Sequence, residues 1–274
     1  MLAQKEARML GAVIGDIAGS RFEWKNTKSK DFELFAPECR ITDDSVMTLA
    51  IARAILDCAG RPDLLAGESV RCMQNFGRRW ARGCYGGSFA RWLMCAEPKP
   101  YGSWGNGAAM RVSACAWAAS SQEEALRMAR SVTEVTHDHP EGIKGAQAVT
   151  AALWLARQGA DKAEIRRHIE ANYYRLNFSL DEIRPGYRFD VSCQGSVPQA
   201  IEAFLESCSF EDAVRGAISL GGDSDTIAAI AGSVAEAFYG IPQAMREKAL
   251  GFLDRELCDV VQEFESSYSA LKLA

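Results

Sequence analysis

Two short acidic segments supply the side chains best suited to chemistry. Thr42-Asp43-Asp44 lies near the start of the chain and Asp223-Ser224-Asp225-Thr226 near its end. Each combines carboxylates with hydroxyls and comes directly before an apolar helical pattern. Mg²⁺ and Mn²⁺ prefer such oxygen ligands. If the second segment is extended before its helix begins, its two carboxylates point toward a common centre. Together the segments predict a hard-metal site, provided that the fold brings them together.

Helix capping is the alternative interpretation, because Asp and Thr at a helix start also satisfy free backbone N–H groups. Zinc is not expected, since only three histidines are present and the cysteines form no paired motif. A calcium loop counted from Asp223 would need Gly at its sixth position and Glu at its twelfth, where Ala228 and Val234 stand. A haloacid dehalogenase-type aspartate would follow an N-terminal strand, whereas this segment follows a predicted helix near the C-terminus.

A glycine-rich loop at residues 101–111 lies between the acidic segments. Its backbone N–H groups could hold phosphate oxygens, and Tyr101 or Trp104 could stack on a base or a sugar. The loop has no P-loop lysine, and glycine loops before helices are common, so a purely structural role stays open. The nearby turn at residues 136–140 contains His137 and His139 and is compatible with simple helix capping.

Helical periodicity dominates the elements that must position these residues. Apolar residues recur at helical spacing in residues 10–18, 47–58 and 227–238. Gly11, Gly15 and Gly19 lie four apart and predict a central helix that a neighbouring backbone approaches closely. Further helices are predicted at residues 70–81, 108–118, 122–131, 142–158, 162–172, 197–206, 210–219 and 242–267, with one strand signal at 187–192. Loops are expected at 82–87, 98–102 and 184–186.

The bulk properties favour one compact globular domain spanning residues 1–274, folded as an all-α bundle. A formal net charge of −5 gives nucleic acid no electrostatic attraction, so nucleic acid is not an expected partner. Nine scattered cysteines are typical of reduced thiols in a cytoplasmic protein. Asp16 interrupts the only signal-peptide-like run, and no apolar stretch is long enough to span a membrane.

Four motifs together resemble the ADP-ribosylglycohydrolase family, which includes the dinitrogenase reductase-activating glycohydrolase. They are GAVIGDIAGSRFE at 11–23, TDDS at 42–45, GNGAAMR at 105–111 and GGDSDT at 221–226. The motifs occur in the family's order and span nearly the whole chain. The chain has Ser45 where the family often has Thr, which keeps the hydroxyl, and Trp104 where other aromatic residues are common.

The resemblance implies a compact all-α fold with two Mg²⁺ or Mn²⁺ ions in a cleft that receives ADP-ribose. The implied metal ligands are Glu23, Thr42, Asp43, Asp44, Asp223, Asp225 and Thr226. Glu23 comes from the resemblance alone. The implied contacts of the diphosphate and the distal ribose are Gly102, Ser103, Trp104, Gly105 and Asn106, and His137 is expected near the nucleoside end.

The function expected from this resemblance is hydrolysis of the bond between C1″ of an ADP-ribosyl group and an arginine nitrogen. The partner would be an ADP-ribosylated protein or a small molecule that contains ADP-ribose. Asp43 or Asp44 would handle the proton, and Glu23 would be a ligand, a base or a gate. Two alternatives stay open: a non-catalytic ADP-ribose-binding or structural member, and a hydrolase of serine-linked, O-acetyl or nucleic-acid-linked ADP-ribose. The sequence does not specify an oligomeric state.

Overall fold

A computed structural model describes residues 9–268 and shows fourteen α-helices and no β-strand within that range. The helices are α1 (Gly11–Gly19), α2 (Asp43–Cys58), α3 (Leu65–Arg79), α4 (Gly87–Met94), α5 (Ser113–Ala118), α6 (Gln122–Glu134), α7 (Pro140–Arg157), α8 (Lys162–Asn172), α9 (Leu180–Ile183), α10 (Cys193–Glu206), α11 (Phe210–Ile218), α12 (Ser224–Tyr239), α13 (Gln243–Leu250) and α14 (Arg255–Tyr268). Short 3-10 turns occupy Pro62–Leu64 and Asn106–Ala108. The all-α prediction is confirmed.

Several predicted boundaries need correction. The helix expected at 108–118 begins at Ser113, after the 3-10 turn. The helix expected at 242–267 is two helices, because the Asp254 side chain accepts the backbone N–H of Leu257 at 3.0 Å and starts α14 there. Helices α4 and α9 were not predicted, although Ser179 and Glu182 form a capping box before α9.

The strand expected at residues 187–192 is wrong. Within residues 9–268 this segment makes one isolated antiparallel bridge, between Ser192 and Gly105. The backbone N–H of Asn106 also donates to the carbonyl of Val191 at 2.7 Å. The segment has β-favouring residues but no neighbouring strand with which to pair, so it runs as an extended loop beside the glycine-rich loop.

Helix α1 is fully buried and packs against α12 with almost no space between the two backbones. A Cβ atom at Gly15 would lie 2.6 Å from the backbone nitrogen of Ala229 and closer still to the carbonyl of Ala228. A Cβ at Gly19 would lie 2.5 Å from the Cα of Asp225. The glycine spacing therefore performs the predicted role of close approach, and it fixes α1 against α12, whose first turn contains Asp225.

The other end of the same helix pair is joined by a buried carboxylate. Glu236, near the end of α12, accepts the backbone N–H groups of Leu10 at 3.2 Å and Gly11 at 2.8 Å. These donors belong to the first turn of α1, which has no side-chain cap of its own. A long-range cap thus replaces a local one.

One contiguous hydrophobic cluster reaches from Met9 to Phe264 and includes residues from most helices. Among residues 9–268 no helix is long and apolar enough to cross a membrane. All nine cysteines are unpaired thiols.

Candidate metal centre and ligand cleft

The starts of α2 and α12 meet, although they are far apart in the chain. The Thr226 hydroxyl at the start of α12 donates to Oδ2 of Asp44 at 3.2 Å, across 182 residues. The Thr42 hydroxyl lies 3.3 Å from the same oxygen. The two acidic segments singled out in the sequence therefore share one buried location.

A third carboxylate, Asp16 on α1, organises the start of α2. Its Oδ2 accepts the backbone N–H groups of Thr42 at 2.9 Å and Ser45 at 3.0 Å. Its two oxygens also accept both hydroxyls, that of Thr42 at 2.6 Å. Sequence reasoning did not assign Asp16 to the site, although it is the single charge in an apolar helix, and that was the available signal.

Glu23 lies in the turn after α1, and the Asn26 side chain holds this turn in place. Its Nδ2 donates to the carbonyls of Phe22 at 2.6 Å and Glu23 at 2.9 Å. Asn26 also pairs with the backbone of Gly222, donating to its carbonyl at 3.0 Å and accepting its N–H at 2.8 Å. Gly222 has a left-handed backbone, with φ of 70°, which favours glycine. The Glu23 turn is thus joined to the segment that carries Asp223.

The carboxylates form two groups that could each hold a cation, and both groups include Asp225. In one group, oxygens of Asp16, Asp44 and Asp225 lie within 4.8 Å of one another. In the other, the same is true of Glu23, Asp223 and Asp225. The shared aspartate places the two groups side by side, which is the arrangement that a pair of adjacent cations requires.

These carboxylates are costly without a counter-charge. Burial, and next the charge of Asp225, raise the pKa of Asp44 well above its usual range. Burial and the charge of Asp223 do the same to the pKa of Asp225. Burial and the charge of Asp16 raise the pKa of Asp43 to about 8. Burial and then the charge of Asp223 also raise the pKa of Glu23. A cluster of buried like charges is stabilised when cations neutralise it.

Two further observations test whether cations fit here. Oδ1 of Asp44 is buried and has no hydrogen-bond partner among the described residues. Asp223 stands at the N-cap position of α12, yet its side chain makes no capping bond and instead accepts Nδ2 of Asn106 at 2.6 Å. Thr42 does cap α2, so capping explains part of the first segment but not the second. The oxygen-only donor set suits Mg²⁺ or Mn²⁺.

All of these carboxylates except Asp16 line a cavity of about 570 Å³ and form what we call its floor. This volume is within the range of small-molecule sites. The predicted residues that line it are Glu23, Asp43, Asp44, Ser103, Gly105, Asn106, His137, Asp223, Asp225 and Thr226. Thr42 lies behind the floor and is buried. Gly102 and Trp104 are not among the lining residues. Gly102 N–H donates to Oδ1 of Asp138 at 2.6 Å, and Trp104 is 52% exposed with its ring against that of His139.

His137 is a buried wall residue of this cavity. Its Nδ1 lies 2.7 Å from the hydroxyl of Thr136, which also accepts a hydrogen bond from Arg111 at 2.6 Å. Burial, with the charge of Arg111, holds the pKa of His137 well below its usual range, so the imidazole is neutral at pH 7. Nε2 faces the glycine-rich loop, since a Cβ at Gly107 would lie 3.4 Å from it.

Another part of the cavity wall comes from a segment that the sequence analysis treated only as a loop. Residues 83–89, including Tyr85 and Phe89, line the cavity. Part of this segment is the first turn of α4, which brings Phe89 inward against Trp92. The three glycines among residues 83–87 were the only local signal, and glycines alone do not distinguish a cavity wall from a turn.

Comparisons with known proteins agree with this architecture. A sequence model of the ADP-ribosylglycohydrolase family matches residues 6–270. The chain belongs to this family. The family prediction is therefore confirmed, and with it the class of enzyme, a hydrolase of glycosidic bonds.

Individual relatives are similar over most of the chain. ADP-ribosylhydrolase ARH3 of Mus musculus is 26% identical over 91% of this chain and 88% of its own length. The ARH3 of Homo sapiens is 24% identical over 91% and 90%. The ADP-ribosylarginine hydrolase Tri1 of Pseudomonas putida is 37% identical over 40% of this chain and 32% of its own.

A solved structure described as an ADP-ribosylglycohydrolase-related protein complex has the same fold. The superposition covers 98% of this chain and 98% of the other, with a TM-score of 0.65 and 23% sequence identity. Since the likeness extends over nearly the whole length of both chains, the predicted all-α fold of the ADP-ribosylglycohydrolase type is confirmed.

Proposed function

We propose that this ADP-ribosylglycohydrolase uses two divalent cations, Mg²⁺ or Mn²⁺, to release ADP-ribose from ADP-ribosyl-arginine on a protein. The observation that carries the proposal is the pair of buried carboxylate groups that share Asp225 on the floor of the cavity. The name of the Tri1 relative supports the arginine linkage.

The protein residues divide into those that would hold cations and those that would hold substrate. Glu23, Asp223 and Asp225 would supply one cation site, and Asp44 with Asp225 the other, with Thr42, Asp43 and Thr226 completing the oxygen donors. When bound, the cations would neutralise these carboxylates and withdraw electrons from ribose and water oxygens. Ser103, Gly105 and Asn106 would contact the distal ribose and diphosphate, and neutral His137 would face the nucleotide.

Asp43 is the carboxylate best placed for proton transfer. It lines the cavity and is only half-buried, whereas Asp44 is almost fully buried between two threonine hydroxyls. In the reaction the oxygen of a water molecule bonds to C1″ and loses a proton to a carboxylate. The bond from C1″ to the arginine nitrogen breaks, and that nitrogen takes up a proton. The free thiols support a cytoplasmic setting for this activity.

The test is release of free ADP-ribose from an ADP-ribosylated arginine peptide, with Mg²⁺, with Mn²⁺ and after removal of metal by EDTA. We expect release only with a divalent cation. Asp225→Asn should abolish it, and Glu123→Gln, which neutralises an exposed carboxylate outside the cavity, should not.

Full metal-dependent turnover by Asp225→Asn would contradict the assignment. ADP-ribose binding without release from arginine-, serine- or acetyl-linked substrates would instead identify a non-catalytic binding protein. Faster release from serine- or acetyl-linked substrates would retain the hydrolase and change its acceptor.

A further inference from the structure

An exposed aromatic surface forms one rim of the cavity. Trp24 is 76% exposed and stacks on Phe189, which is 44% exposed. Their ring centroids are 5.3 Å apart and their planes differ by 21°. Val191, 54% exposed, continues the surface, and all three residues line the cavity. We call Trp24, Phe189 and Val191 the aromatic platform.

Most of the exposed large apolar side chains in the described residues lie at or next to the cavity. Five large apolar side chains are exposed by 44% or more in residues 9–268: Trp24, Met94, Trp104, Phe189 and Val191. Three of them form the platform, and Trp104 lies between two residues that line the cavity. Leaving such surface in water costs roughly 25 cal/mol per Å². A concentration of it at a cavity mouth is typical of a binding surface.

The platform lies at the carboxylate end of the cavity. Trp24 follows Glu23 directly in the chain. At the other edge, the Val191 carbonyl accepts the N–H of Asn106 at 2.7 Å, and the Asn106 side chain holds Asp223. One edge of the platform therefore adjoins Glu23, and the other is linked to Asp223 through Asn106.

This position selects one part of the substrate. Under the proposed function, C1″ of the distal ribose lies beside the carboxylates, where its bond to the acceptor is broken. The adenine is separated from C1″ by two riboses and a diphosphate, so it lies toward the opposite end. The group that extends from C1″ toward the platform is the acceptor side chain.

The charges of the cavity beside the platform favour a cationic acceptor. The chain neighbours of the two rings balance in charge, because Glu23 and Lys25 flank Trp24 while Arg188 and Asp190 flank Phe189. Among the described residues that line the cavity, five are carboxylates and Arg111 is the one lysine or arginine. Arg111 is itself buried and hydrogen-bonded to Thr136 and the carbonyl of Val132. The cavity beside the platform is therefore net negative and favours a positively charged group of the substrate.

We propose that Trp24 and Phe189 bind the guanidinium group of the ADP-ribosylated arginine and so select this linkage; the inference rests on the proposed function. A planar guanidinium stacks on an aromatic face and is attracted by its electrons, whereas a serine oxygen offers neither interaction.

The test compares linkages in the metal-loaded enzyme. Phe189→Ala and Trp24→Ala should lower kcat/KM for an ADP-ribosyl-arginine peptide by roughly 3- to 30-fold, the range for a cation over an aromatic face. The loss should occur mainly in KM. Turnover of the matched serine-linked peptide should fall less, and Trp24→Phe should retain most of the arginine activity.

Two controls separate the platform from its surroundings. Met94→Ala removes an equally exposed apolar side chain away from the cavity and should change nothing. Competitive inhibition by free ADP-ribose, together with Mn²⁺ affinity, should be the same in Phe189→Ala as in the wild type. Phe189 is the cleaner position, because Trp24 follows Glu23 directly in the chain.

Each other outcome overturns the inference. A parallel loss of ADP-ribose affinity would assign the platform to the nucleotide. Equal losses for both linkages would show that the platform does not recognise the guanidinium group. Wild-type arginine activity that neither alanine variant changes would reject the platform and leave the hydrolase intact. A wild type that releases ADP-ribose from no linkage would instead reject the proposed hydrolase, and the platform with it.

Discussion

Gly15→Ala is the substitution that most directly tests how this fold builds its site. The new Cβ would lie 2.6 Å from the backbone nitrogen of Ala229, whereas ordinary contact begins at about 3.4 Å. The obstacle is the backbone of α12, so no side-chain rotation can relieve it. Because the Ala228 carbonyl is closer still, α1 and α12 must separate by more than about 1 Å. Overpacking of this kind costs about 1–3 kcal/mol. The better helix propensity of alanine returns at most about 1 kcal/mol.

The matched control is Gly67→Ala in α3. Gly67 is also helical, but it is exposed, and its new Cβ would meet no atom within 4 Å. This variant should gain up to about 1 kcal/mol from propensity alone. Because the propensity gain is common to both variants, we expect Gly15→Ala to be less stable than Gly67→Ala by about 1–3 kcal/mol in urea denaturation.

Metal binding supplies a second measurement for the same variant. Helix α1 carries Asp16 and α12 begins beside Asp225, so separation of the helices should displace these carboxylates from each other. Mn²⁺ affinity, measured by calorimetry, should fall about 10-fold or more in Gly15→Ala and stay unchanged in Gly67→Ala. A Gly15→Ala protein as stable as Gly67→Ala, with wild-type Mn²⁺ affinity, would refute the reasoning.

Three further predictions concern the buried carboxylates. Asp16→Asn should weaken Mn²⁺ binding about 10-fold in calorimetry, because an amide cannot accept all the N–H and O–H groups of Thr42 and Ser45. Unchanged Mn²⁺ affinity would show that Asp16 does not position the start of α2 for the metal. Cation at 100 times its Kd should raise the melting temperature of the wild type by about 5 °C, whereas Asp225→Asn should melt higher than the wild type in EDTA and gain nothing from cation. A lower EDTA melting temperature in that variant would mean that Asp225 stabilises the fold by capping instead. Burial raises the pKa of Glu236 to about 8, so the folded state keeps a proton that the unfolded state releases near pH 4.5. The stabilisation from this proton is full below pH 4.5 and is lost as pH rises through 8. The unfolding free energy of Glu236→Gln should therefore decline less than that of the wild type between pH 4.5 and 8, by a few kcal/mol. Parallel curves of unfolding free energy against pH for the two proteins would contradict this.

Local pattern accounts for the part of the fold that was predicted. Helical spacing of apolar residues identified α1, α2 and α12, and the glycines of α1 predicted its close packing. The errors fall where local preference and context disagree. Residues 187–192 favour a strand but have no partner strand, and the 242–267 pattern continues across a break that Asp254 creates by capping α14.

The sequence by itself determined the fold class, the family and the two acidic segments. Each of these can be recognised from short local patterns of residues, without knowing which residues are in contact. Tertiary structure decided which carboxylates act together. Asp16 and Asn26 joined the site only through hydrogen bonds to distant backbone, and Asp225 became the shared residue only because α1 and α12 pack backbone to backbone. Burial then made these charges costly, and burial depends on the whole chain rather than on any segment of it.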